Sequence, residues 1–163
     1  MIKVLLSILM LSAFSLASPK FQVVYKMDFN KETKCLVRNL DIYKNPKWAS
    51  KIELKNGKQV FFSSPKSMFE FYHRPGKWFD VGVKSENDFK DIIVTDYMTM
   101  KPINAKEAFY IYGSRATSPA GDDLVAIEDE YKAKEFALKF SGKRVMRFNE
   151  VSDALIRLIN GRI

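Results

Sequence analysis

The chain has 163 residues, 47% hydrophobic and 13% aromatic, which is enough apolar volume for one packed body or two small ones and too much for a disordered segment. Its formal charge is +8, yet the lysines and arginines are scattered, with no block of the kind that makes a nucleic-acid arm. A basic surface suited to an acidic partner is what this balance supports.

Residues 1–17 read as an export signal. Lys3 supplies the basic start, Val4–Leu16 the apolar segment, and Ser15-Leu16-Ala17 a small-x-small cleavage site. The apolar run is short for a membrane span, and an uncleaved N-terminal anchor is the alternative. No cysteine sits near residue 18, so lipid modification there is excluded. Cys35 is the single cysteine. It has no internal disulfide partner and reads as a buried thiol, an intermolecular partner or a soft metal ligand.

Residues 18–34 form a polar leader, with Phe21–Tyr25 as a short strand. After the turn at Asn45-Pro46, Trp48–Leu54 reads as a strand. Asn56-Gly57 marks a hairpin, and Gln59–Phe62 returns. Ser63 or Ser64 then caps a helix with Pro65 in its first turn. Met68, Phe69, Phe71 and Tyr72 fall at the spacings of a core-facing stripe. Arg74-Pro75-Gly76 ends that helix, a loop follows, and Phe89–Tyr97 is the next strand. Pro102 and Asn104 break the chain before a strand over 107–112. Arg115–Asp123 reads as a polar loop, and 124–128 as a strand. Tyr131–Phe140 is a helix stopped by Ser141-Gly142. A strand over 143–148 and a helix over 151–159 complete the chain. Each half thus reads strand–strand–helix–strand. The expected fold is α+β, two tandem ββαβ units packed as one compact exported body. Residues 1–17 are the signal and 18–34 the leader. The first unit spans 35–101, and the second, with the C-terminal helix, spans 102–163. Neither unit is large enough to bury a good core alone.

A further pattern runs through both halves: Phe61-Phe62, Pro65-Lys66, Met68-Phe69, Phe71-Tyr72, Val94-Thr95-Asp96-Tyr97, Ala108-Phe109-Tyr110, Gly113-Ser114, Pro119, Gly121, Asp123-Leu124 and Phe148-Asn149-Glu150. It resembles the nitrous oxide reductase accessory protein family, NosL, over about Cys35–Val151. The resemblance implies two linked ββαβ units and an exported, periplasmic copper chaperone. Such a protein hands Cu(I) to a membrane-associated assembly complex for the copper centres of nitrous oxide reductase. It also implies a Cys-x-x-Cys-Gly-Met motif and a Met between Pro119 and Gly121. Here Cys35 keeps the first position, Arg38 and Leu40 replace the second Cys and the Met, and Ala120 stands in the hairpin position.

Cu(I) is soft and takes thiolate, thioether and imidazole ligands. Met98-Thr99-Met100 is the best local donor pair, since continuation of the strand would put both thioethers on one face; the other reading is that one or both fill core. Cys35, ahead of a strand, joins them as the third candidate, so the metal set is Cys35, Met98 and Met100. Met68 and Met146 read as core. His73 reads as a cation at a helix C-terminus. Asp96 reads as a turn-former that binds backbone amides. The carboxylates Asp122, Asp123 and Glu128–Glu130 have no histidine or nucleophile at a catalytic spacing, so no enzyme is expected. Two functions stay open: a periplasmic Cu(I)-binding, chaperone-like factor, and a metal-free docking or scaffold protein of the same family.

Overall fold

The computed structural model describes residues 23–162. The export signal and the start of the leader lie outside the described residues. Among the described residues, seven strands form two sheets and three α-helices pack with them. The first holds β1 (Ser50–Leu54), β2 (Gln59–Phe62), β3 (Phe89–Thr95) and β4 (Pro102–Asn104), in the order β2-β1-β3-β4. The second holds β5 (Phe109–Ser118), β6 (Gly121–Ile127) and β7 (Arg144–Arg147), in the order β6-β5-β7. All named pairings are antiparallel. The helices are α1 (Pro65–His73), α2 (Glu130–Lys139) and α3 (Asp153–Ile159). The protein is α+β, and strand–strand–helix–strand order recurs in both halves.

α1 begins where the sequence places it. Pro65 opens the helix, and the Ser64 hydroxyl accepts the Ser67 N–H at 3.3 Å. Its burial goes beyond an apolar stripe, because Lys66, Ser67 and Glu70 are buried along with Met68, Phe69 and Phe71. The helix lies between the two units. It packs on β1 and β2 on one side and meets β6 and α3 on the other.

That position explains the continuous apolar runs of β5 and β6, since a sheet covered on both faces has no solvent side to alternate with. Tyr110, Leu124 and Ala126 join the large core with Phe69 and Phe148. Phe109, Ile111, Val125 and Ile127 point to the other face, against Ala133 and Phe136 of α2. Trp48 of the first half packs in this second cluster. The two units therefore share their cores.

Three expectations change. Pro102–Asn104 pairs with β3, so the first sheet reaches past residue 101. The polar loop over 115–123 shrinks to the two-residue turn Pro119-Ala120. Ser118 pairs with Gly121, and the Ser118 hydroxyl accepts the Ala120 N–H at 3.0 Å. The surplus residues enter β5 as a bulge between Tyr112 and Thr117. Finally, β3 ends at Thr95, and Met98-Thr99-Met100 is a turn rather than a strand.

Candidate functional site

Asp96 makes the turn that carries the two methionines. It is buried, and its Oδ1 accepts the Met98 N–H at 2.9 Å, the Thr99 N–H at 2.7 Å and the Thr99 hydroxyl at 3.0 Å. Its Oδ2 accepts the Glu128 N–H at 2.7 Å, which ties the turn to the approach to α2. The backbone closes the turn through Asp96 N–H to Lys101 O at 2.8 Å and Met100 N–H to Asp96 O at 2.9 Å. A strand's reach would have set the thioethers side by side on one face. The carboxylate instead turns the chain outward as soon as β3 ends.

Both thioethers are consequently at the surface, Met98 56% and Met100 47% exposed. Met100 also has φ 64°, in the left-handed region. A non-glycine residue without a short polar side chain sits there at a cost. Met68 and Met146 are buried core residues, as expected.

Cys35 lies elsewhere. It is 2% exposed, within the main core, and its Sγ accepts the Arg38 N–H at 3.3 Å. The next residue, Leu36, bonds to Phe61 of β2. The Cys35 segment thus flanks β2 on the side away from β1. The Met98 turn follows β3, so about three strand spacings, roughly 14 Å, lie between them. The expected trio Cys35, Met98 and Met100 is therefore not brought together: the cysteine is buried beside the β2 edge of the sheet, and the methionines are exposed on the turn between β3 and β4.

Around the Cys35 turn the structure gathers charges that the sequence does not single out. Arg38 donates to Glu70 Oε2 at 2.9 Å and to Asn160 Oδ1 at 2.5 Å. Arg162 and the Asn160 amide also donate to Glu70. Lys66 donates its Nζ to the Ala120 carbonyl at 2.9 Å and its backbone N–H to Asp123 Oδ1 at 2.8 Å. Burial pushes the Lys66 ammonium below its usual range and the Asp123 carboxyl above its own. The two positions where the family resemblance implies a second Cys and a hairpin Met are therefore an ion-paired guanidinium and a carbonyl held by a lysine. Neither offers a soft donor. The one signal for this cluster was the charge of Lys66 and Glu70 inside an otherwise apolar helix.

His73, expected as a cation at the helix C-terminus, is half-buried. Its Nε2 lies 2.8 Å from the Val151 carbonyl oxygen, to which the neutral ring donates. Burial holds its pKa below the usual value. Among the described residues no cluster of three or more His, Cys, Asp or Glu is arranged to hold a metal ion. No described helix is long and apolar enough to cross a membrane.

An α+β protein of paired ββαβ units, presenting two thioethers on an anchored surface turn, is the class that fold and site define. The NosL family profile matches residues 26–156, and the chain belongs to that family. Membership places it among accessory proteins rather than enzymes. The fold is similar to that in the crystal structure of the copper chaperone NosL from Shewanella denitrificans. The TM-score is 0.68 at 21% identity, over 82% of this chain and 99% of that one. The comparison with curated proteins finds no match.

Proposed function

We propose that this chain is an exported, periplasmic accessory factor that carries Cu(I) as cargo on Met98 and Met100. Its partners are the membrane-associated assembly complex and nitrous oxide reductase, as the family resemblance implies. Family membership and the fold shared with a copper chaperone support the class of function. The residue assignment rests on Met100, an exposed thioether held at φ 64°. Backbone strain that a Gly or Asn would relieve is retained beside a second exposed Met, and retained strain is a mark of functional positions. Thioethers at the surface suit a cargo that must leave again, because soft neutral donors hold Cu(I) without the charge of a thiolate.

The test is a Cu(I) titration of the exported protein against a chromogenic chelator. One Cu(I) per chain is expected, weakened at least about tenfold in Met98→Ala/Met100→Ala and unchanged in Cys35→Ser. Loss of binding in Cys35→Ser alone would move the site to the thiol. No competition with the chelator would leave the metal-free docking reading, which the Arg38–Glu70 ion pair and Ala120 favour.

A further inference from the structure

The groove beside the methionine turn has no occupant among the described residues. It has a volume of about 780 Å³ and lies between Tyr97-Met98 and α2, floored by Phe136 and Phe140. Its aromatic walls are rigidly packed: Tyr97 stands edge-on to Trp48 at 5.0 Å and to Phe136 at 5.5 Å, and Phe136 stacks on Phe140 at 4.3 Å. The core takes only Ala133 and Phe136 from α2 as buried residues. Leu138, which also lines the groove, is left 86% exposed. A leucine and a methionine open to water around an aromatic floor mark a contact surface.

The rim says what covers it. Lys132 and Lys139 line the groove, and Lys47 sits 4.7 Å above the Tyr97 ring. None of the three is in an ion pair among the described residues. Glu130 is engaged by Lys134 and Arg147, so it does not neutralise them. Glu135 is the single carboxylate in the lining. Two ammonium groups in the lining without an ion pair, with Lys47 over the adjoining Tyr97 ring, complement carboxylates flanking apolar side chains.

We propose that this groove docks an acidic, amphipathic segment of a partner protein, its apolar residues entering between Tyr97 and α2 and its carboxylates meeting Lys47, Lys132 and Lys139. A recess walled by rings takes up projecting side chains, the helix-in-groove mode of recognition. A bilayer surface would bury Glu135 without a partner.

The experiment adds no metal, so its outcome is independent of the copper assignment. The exported protein, labelled with ¹⁵N, is titrated with a synthetic helical peptide carrying Leu at i, i+3, i+4 and i+7 and Glu on its other face. Its controls are the same Leu pattern on a Lys background and phosphatidylglycerol vesicles. The Glu peptide is expected to shift the amides of Tyr97, Met98 and residues 132–140. Its affinity should fall at least about tenfold in Lys132→Glu/Lys139→Glu and in Leu138→Ala, with amides far from the groove unchanged. Equal binding of the Lys peptide, shifts centred elsewhere, no shifts at all, or vesicle binding through these same residues would each overturn the proposal.

Discussion

Met100 holds a backbone conformation that its side chain opposes. At φ 64° a glycine would be relaxed where a Cβ is crowded. Met100→Gly should therefore stabilise the protein by about 0.5–1 kcal/mol, read as a higher denaturation midpoint. The same variant should lose Cu(I) in the chelator titration. Stability and cargo binding moving in opposite directions would identify a residue kept for function. A variant that gained stability and kept its copper would remove Met100 from the site. Residues whose work is local were legible in the sequence. Asp96 as a binder of amides and Ser64 as a cap need only neighbours a few positions away. Glu70 was not legible, because its partners Arg38, Asn160 and Arg162 come from distant parts of the chain. That Cys35 lies apart from the methionine turn was hidden for the same reason, since sequence order does not tell which edge of a sheet a segment flanks.

Among the elements, the C-terminal end of α2 separates two roles that a Ser-Gly pair leaves merged. Gly142 looks like the left-handed residue that stops the helix, but Ser141 takes that conformation, at φ 57°. The Gly142 N–H bonds back to the Ala137 carbonyl at 2.7 Å, as the residue after a left-handed cap does. Gly142 is required for space instead: a Cβ there would lie 2.5 Å from Ile111 Cγ2 and 3.0 Å from Ala137 Cα. Ser141→Gly should stabilise by about 0.5–1 kcal/mol. Gly142→Ala should destabilise by about 1–3 kcal/mol as α2 is pushed from β5. Urea unfolding of the two variants beside the parent checks both signs. Two destabilising results would mean that the Ser141 side chain has a role beyond the cap. Element type was readable wherever periodicity and caps agreed, as in α1 and the β1–β2 hairpin. The turn at Pro119-Ala120 was read as a long loop because the bulge between Tyr112 and Thr117 interrupts strand alternation with polar residues.

At the scale of the whole molecule, α1 and the C-terminal segment are fastened together by polar contacts from the C-terminal half of α1. Glu70 holds Asn160 and Arg162, Arg74 holds Asp153, and His73 donates to Val151. His73 is the single histidine of the chain, so it dominates the pH response near neutrality. Burial is the largest cause of its lowered pKa and Arg74 adds to it, while the Val151 carbonyl, Asp153 and Glu86 act the other way. Its folded pKa lies below the ordinary 6.5, so on acidification the unfolded chain takes up the proton first. The contribution of His73 is complete above about pH 6.5 and is lost as pH falls from there through the folded pKa, at no more than about 1.4 kcal/mol per pH unit. Asp123, whose pKa is raised by burial, has the opposite sign: the folded state protonates first, so acidification relieves a cost. Denaturation midpoints measured at pH 7.5 and 5.5 should therefore fall for the parent. They should stay level or rise slightly for His73→Gln, which keeps an N–H donor for Val151 and cannot take a proton. An equal fall in the variant would mean that the acid sensitivity resides outside the α1–α3 contact.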